Sequence, residues 1–207
     1  MSGGRAATRV ALVDGGGTNI GSVSYALERL GATARLTTDP GDILAADRVI
    51  LPGVGAAAAG MRRLRELGLD EVLTQVQAPL LGVCLGMQLL LDRSEEDGGV
   101  QTLGLIPGEV RAIPASAALR VPHMGWNALV DLAEDPLLDG ISPGERAYFV
   151  HSYAAPPGPH TIASTTHGAP WSAVVRDGLR WGAQFHPERS ADVGARLLRN
   201  FIQRVEP

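Results

Sequence analysis

The chain has no lysine and a single cysteine, Cys84, among its 207 residues. One cysteine excludes an internal disulfide, so the fold must rest on its core. No apolar stretch approaches the roughly 18 residues that a membrane span needs, and the N-terminal residues carry no signal-peptide core. A cytoplasmic protein with no membrane association is therefore expected. The eighteen cationic residues are all arginine and are scattered, apart from Arg62-Arg63-Leu64-Arg65, which reads as a solvated helix face. With a net charge of −4 there is no basic patch, which argues against nucleic-acid binding. The absence of lysine beside abundant alanine and glycine carries no functional reading. Repeats, low-complexity tracts and linkers are absent as well, so residues 1–207 are expected to form one domain. With 45% hydrophobic residues the chain can build a sizeable core.

What is present alternates between strand and helix. Residues 9–13 read as a short buried strand, Asp14-Gly15-Gly16-Gly17-Thr18-Asn19 as a loop, and 20–30 as a helix with Val23, Ala26, Leu27 and Leu30 on one face. Further strands are predicted at 34–37 and 48–51, and helices over 56–67 and 70–77, the second with Asp70 as its N-cap. An apolar run, Pro79-Leu80-Leu81-Gly82-Val83, then precedes a helical run over 85–91. This order predicts an α/β fold with a mostly parallel open sheet covered by helices on both faces. Beyond Asp92 the texture changes, and turn-rich segments at 95–99 and 139–144 separate strand-like runs at 109–113, 147–153 and 161–165. A hairpin with arms 172–176 and 179–185 is predicted across Asp177-Gly178, so the second half is rich in β-hairpin structure. A last helix is predicted over 190–204.

Cys84 stands where the buried strand turns into the helix, with Gly82 and Gly86 on either side. That pattern resembles a nucleophile elbow, which lifts a reactive side chain above a sheet. Glycines let the backbone take the tight turn, and the helix that follows points free N–H groups at the sulfur. A hundred residues later, Gln184-Phe185-His186-Pro187-Glu188 follows the second arm of the hairpin. Functional loops of open α/β sheets gather at the carboxyl ends of strands, so this segment and Cys84 can meet at one edge. A thiol, an imidazole and a carboxylate are the parts of an activated nucleophile, with His186 moving the proton and Glu188 fixing the imidazole tautomer. Pro52-Gly53-Val54-Gly55 also ends a strand, and a main-chain N–H there, with that of Leu85, would make an oxyanion hole. Taken singly, each element has a plainer reading: a core cysteine, a surface histidine, an ordinary turn. Their combination at strand ends is what points to catalysis.

Pro52-Gly53-Val54-Gly55, then Gly82-Val83-Cys84-Leu85-Gly86-Met87-Gln88-Leu89-Leu90, then Gln184-Phe185-His186-Pro187-Glu188-Arg189-Ser190 resemble, in that order, the triad-type (class I) glutamine amidotransferases. Within them, His123-Met124-Gly125-Trp126-Asn127 and Tyr148-Phe149-Val150-His151-Ser152-Tyr153 are similar to the glutaminase subunits of imidazole glycerol phosphate synthase. The resemblance implies a flavodoxin-like amidotransferase fold and a triad of Cys84, His186 and Glu188. It also implies oxyanion donors at Gly53, Val54 and Leu85, and glutamine held by Gln88, His151, Ser152 and Tyr153. Ammonia would pass to a cyclase subunit with a β/α barrel, in a heterodimer that serves histidine biosynthesis. Asn19, Met124, Trp126, Asn127 and Arg189 would lie near that interface. Neither metal nor cofactor is implied. By periodicity alone Gln88 could be an ordinary helix residue, and Tyr153 and Trp126 core packing. The chain departs from the family at Gly15, where relatives usually carry an aromatic, at Thr18, where glycine is usual, and in the small run Ala56-Ala57-Ala58-Ala59. Read in isolation, the loop at 14–19 could be a phosphate-binding nest, but it lacks the Gly-x-Gly-x-x-Gly order. Two other readings stay open at this point: a glutaminase subunit for pyridoxal phosphate or purine synthesis, and a cysteine hydrolase or peptidase of similar fold.

Overall fold

In the computed structural model, residues 7–15, 20–117 and 119–205 are described. The short apolar runs of the first half become parallel strands: β1 (Arg9–Val13), β2 (Thr33–Thr37), β3 (Arg48–Gly53) and β4 (Leu80–Cys84). Between them lie α1 (Ile20–Glu28), α2 (Pro40–Leu44), α3 (Ala57–Glu66) and α4 (Leu69–Gln75), and α5 (Leu85–Leu90) follows β4 without a break. The second half supplies β5 (Arg93–Ser94), β6 (Val100–Gln101), β7 (Glu109–Ala112), β8 (His123–Ala128), β9 (Arg146–His151), β10 (Tyr153–Ala154), β11 (Thr161–His167), β12 (Ala169–Asp177), β13 (Arg180–Ala183) and α6 (Ala191–Gln203).

The main sheet has the order β11-β12-β13-β4-β3-β1-β2. Pairing is parallel from β2 through to β13 and antiparallel at β13-β12-β11. Successive side chains of a strand point to opposite faces, and β1 shows the result. Val10 and Leu12 join α1 and α6 in one core with Leu27, Leu197 and Phe201. Ala11 and Val13 join the opposite core with Ile43, Met61, Leu64, Leu73 and Leu90, drawn from α2 to α5. A strand buried on both faces reads as a continuous apolar run, and every residue of β4 is buried. A small sheet, β10-β7-β5-β6, and the β8-β9 pair flank this frame.

Several boundaries differ from the sequence expectation. Asp70 is not the N-cap of α4; Gly68, at φ +67, ends the turn after α3 and starts α4 at Leu69, which leaves Asp70 in the first turn. The hairpin loop is Gly178-Leu179, because Asp177 pairs with Arg180, and Gly178 takes φ +54 at the first central position. The run at 147–153 divides at Ser152, where the chain leaves β8 and begins to pair with β7. Strand β8 itself was not predicted. Asn19, with Gly16, Gly17 and Thr18 of the atypical loop, lies outside the described residues. Among the described residues, no helix is long and apolar enough to cross a membrane.

Candidate active site

The elbow is held by close backbone packing. Cys84 ends β4 with φ 54 and ψ −111, a conformation that residues with a Cβ rarely adopt, and α5 starts at the next residue. Space for this turn comes from two glycines. A Cβ on Gly86 would overlap the Leu51 carbonyl oxygen, and one on Gly82 would lie 2.6 Å from the Gly86 oxygen and from the Met87 nitrogen. In β3, Gly53 is the register partner of Cys84, so the Pro52-Gly53-Val54-Gly55 loop leaves the sheet beside the sulfur. A Cβ at Gly53 would lie 2.7 Å from the Gly86 nitrogen, so the strand end and the elbow fit only without one.

His186 arrives from the other side, two residues beyond Gln184 at the end of β13. Its N–H donates to the Tyr148 carbonyl at 3.0 Å, and its own carbonyl accepts from the Ser190 hydroxyl at 2.7 Å. The same hydroxyl oxygen accepts the Tyr148 N–H at 2.9 Å, which ties His186 to β9. Pro187 opens a 3₁₀ turn that brings Glu188 back onto the ring, and Glu188 Oε1 lies 2.9 Å from His186 Nδ1. A carboxylate only accepts, so Nδ1 carries the proton and Nε2 is left for Cys84. Burial alone would pull the His186 pKa down. Hydrogen bonds with Cys84 and Glu188, and the negative charge of both, outweigh burial and raise it to about 10. The imidazole is thus held as a cation beside the sulfur.

A pocket of about 580 Å³ opens over these groups. Val54, Cys84, Leu85, Gln88, His151, Ser152, Tyr153, His186 and Arg189 all line it. Glu188 stands behind His186, its side chain only 1% exposed. Gln88 and Tyr153 meet through the main chain: the Gln88 amide donates to the Tyr153 carbonyl at 2.9 Å and to Gln184 Oε1 at 3.0 Å. The Tyr153 side chain meanwhile packs against the core under α5. Met124 and Trp126 project outward from β8, 63% and 45% exposed, and Trp126 sets its ring edge against Tyr148. Asn127, one residue on, turns inward and bonds to His123 and to the Thr166 carbonyl.

Sequence reading missed two contributors. Glu96 lines the pocket, and its carboxylate accepts the Ala57 N–H at 2.6 Å, capping a helix whose N-cap, Ala56, has no acceptor of its own. Gln184, fully buried, stands with its amide nitrogen 3.9 Å from the Cys84 sulfur. The small residues of α3 also have a packing role, since Ala57 is fully buried and a Cβ on Gly60 would press on Leu89. Among the described residues, no group of His, Cys, Asp or Glu is placed to hold a metal ion.

A mostly parallel α/β sheet that brings a cysteine and an imidazole to one pocket at its carboxyl edge, with a carboxylate behind the imidazole, is the architecture of a triad-type amidotransferase. The chain belongs to that family, glutamine amidotransferase class-I, whose pattern matches residues 11–205. Over 200 residues it is 58% identical to the imidazole glycerol phosphate synthase subunit HisH of Xanthomonas euvesicatoria, covering 97% of this chain and 100% of that one. It is 55% identical over 196 residues to the subunit of the same name from Xylella fastidiosa, covering 95% and 98% of the two chains. Two solved structures share the fold at low identity. A glutamine amidotransferase superposes with a TM-score of 0.71 at 20% identity, covering 94% of this chain and 97% of that one. PurLQS from Thermotoga maritima superposes with a TM-score of 0.66 at 17% identity, covering 97% and 100%.

Proposed function

We propose that the chain is the glutaminase subunit of imidazole glycerol phosphate synthase and supplies ammonia for histidine biosynthesis. The observation that carries this reading is the convergence of Cys84, His186 and Gln88 in one pocket, in a chain so similar to HisH subunits over its full length. The Cys84 thiolate attacks the side-chain amide carbon of glutamine, and the electron pair of the C=O moves onto oxygen. Main-chain N–H groups of the elbow and the neighbouring loop, at Leu85, Val54 and Gly53, stabilise that oxyanion; each such donor is typically worth roughly 3 kcal/mol in the transition state. His186 Nε2–H then protonates the leaving nitrogen, ammonia departs and a thioester remains. Water loses a proton to the same imidazole, attacks the thioester and releases glutamate. Glu188 keeps Nδ1 protonated throughout and balances the charge of the ring.

Gln88, His151, Ser152 and Tyr153 hold the substrate. Both amide protons of Gln88 are committed within the protein, so its Oε1 is the atom left to accept from glutamine. At neutral pH free ammonia is mostly protonated and no longer nucleophilic. The product is therefore useful only if it passes directly to a second active site. We place that site on a β/α-barrel cyclase subunit, which adds the nitrogen to a phosphoribulosyl precursor. Met124 and Trp126 give such a partner an exposed apolar anchor, Arg189 lines the pocket beside Cys84 and His186, and Asn127 and, by the resemblance alone, Asn19 are assigned to the same interface. In the complex with its cyclase, Cys84→Ala is expected to abolish glutamine-dependent synthesis and to leave ammonia-dependent synthesis intact. Loss of both would assign Cys84 a structural role.

A further inference from the structure

Beneath the pocket two lines of side-chain hydrogen bonds converge on the Tyr153 carbonyl, one through the histidines and one through Gln88. The first begins at Asn127, whose Oδ1 accepts the Ala128 N–H at 2.8 Å and whose Nδ2 donates to the Thr166 carbonyl at 2.8 Å. The amide therefore cannot flip, and Nδ2 is also the donor toward His123 Nε2 at 3.1 Å. A neutral ring that accepts at Nε2 carries its proton on Nδ1, and His123 Nδ1 lies 3.0 Å from His151 Nε2. His151 must then accept at Nε2 and donate from Nδ1, where the Tyr153 carbonyl waits at 2.8 Å. Read backwards from that carbonyl, which can only accept, the same assignment follows. Both rings stay neutral: burial first, and then the neighbouring histidines, hold His123 at about 3, while burial dominates at His151 and holds it at about 4.

The second line starts at Gln88. Its amide donates to the same Tyr153 carbonyl and to Gln184 Oε1, which turns the Gln184 Nε2 toward the Cys84 sulfur at 3.9 Å. The geometry of the lines is stiff. His123 is clamped between Phe149, 4.8 Å away between ring centres and tilted by 19°, and His167, 4.2 Å away and tilted by 16°. His123, His151, Gln88 and Gln184 are all buried. Packing β8 onto β9 needs no such sequence of donors, because apolar side chains would fill the same space without having to be oriented.

We propose that Gln184 is a further residue of the reaction centre, donating an N–H to the Cys84 sulfur. Gln88, oriented by the Tyr153 carbonyl, is the positioning residue that holds its amide in that sense, and Asn127, His123 and His151 anchor the same carbonyl from the other side. With the amide reversed, Gln184 would present its oxygen to the thiolate and repel it. The inference rests on reading Cys84 as the nucleophile, and its test reads two properties that need no glutamine turnover. The first is the ring tautomer of each histidine in the ¹⁵N-labelled full chain, from long-range ¹⁵N–¹H NMR. His123 and His151 are both expected as neutral Nδ1–H tautomers from pH 6 to 8. The second is alkylation by iodoacetamide, which reports the thiolate and, with one cysteine in the chain, reports Cys84 alone.

Gln184→Met should move the pH profile of alkylation to higher pH by about one unit, the tenfold change expected for losing a hydrogen bond to a charged sulfur. Gln88→Met, which frees the Gln184 amide, should shift that profile in the same direction, while His123→Leu should leave His151 in the Nδ1–H tautomer because the Tyr153 carbonyl still accepts there. An unshifted alkylation profile in Gln184→Met would overturn the proposal, and Nε2–H tautomers in the unmodified chain would overturn the orientation assigned at the Tyr153 carbonyl. Should Gln88→Met not fold, Gln184→Met decides it. The expected tautomers and alkylation profiles without any glutamine hydrolysis would instead overturn the proposed function and leave the hydrogen-bond lines standing.

Discussion

Cys84 sits at φ 54 and ψ −111, which makes a paired substitution informative. Cys84→Ala and Cys84→Gly both remove the sulfur, so its lost contacts cancel between them. Alanine keeps a Cβ in a conformation that costs about 1–3 kcal/mol, and the combination of φ and ψ here belongs in the upper half of that range. Glycine releases the strain. Against this stand about 0.4–1 kcal/mol for the greater freedom of glycine in the unfolded chain and about 0.8 kcal/mol for the buried methyl group it lacks. The balance is about 1 kcal/mol in favour of glycine, the reverse of the usual order of alanine over glycine in a helical setting. For a chain of this size that corresponds to a melting point roughly 2–4 °C higher for Cys84→Gly than for Cys84→Ala. Urea unfolding with a common m-value gives the difference directly, and both variants should be inactive. An alanine variant as stable as the glycine variant, or more so, would refute the claim that the elbow is strained at the nucleophile.

Two further outcomes follow from the same geometry. His186 is raised from 6.5 to about 10 in the folded protein, so the stability that its charge contributes is complete below about 6.5 and is lost as pH rises through about 10. Glutamate release should therefore hold through neutral pH and fall near pH 10, and Glu188→Gln, by removing one group that raises His186, should move the falling limb to lower pH; a limb that stays in place would contradict the coupling. Gly86→Ala drives a Cβ into the Leu51 carbonyl oxygen, a backbone atom of the central sheet, and should destabilise the chain by about 3 kcal/mol or more in denaturant unfolding. An unchanged midpoint would mean that the elbow packs more loosely than the structure has it.

The parts legible in the sequence are those where local pattern and tertiary role coincide. β1, β3 and β4 read as strands because strands covered on both faces are apolar throughout, and the Gly82-x-Cys84-x-Gly86 spacing reads as an elbow because the glycines answer a steric demand made within five residues. Strand β8 was hidden because its pattern is inverted. The inward row is the buried His123 and the half-buried Asn127 and the exposed row is Met124 and Trp126, so hydrophobic periodicity points the wrong way. Glu96 was hidden by distance, since it caps a helix 39 residues earlier in the chain. Gln184 stood inside the quoted Gln-Phe-His-Pro-Glu segment, yet nothing in one dimension says that its amide meets Gln88 and Cys84. The shift of the α4 start from Asp70 to Leu69 has the same origin: the left-handed turn at Gly68 belongs to the joint between two helices and outranks the local capping preference.

The central claim is that Cys84 hydrolyses glutamine in the service of a second subunit. The most direct measurement is glutamate release from glutamine by the purified chain, alone and mixed with a barrel cyclase and its phosphoribosyl ligand, with Cys84→Ala as control. The expected result is slow release by the chain alone, strong stimulation by the loaded cyclase, and none from the variant, since uncoupled hydrolysis wastes glutamine. Release that is fast without the cyclase and indifferent to it, or that survives Cys84→Ala, would contradict the account.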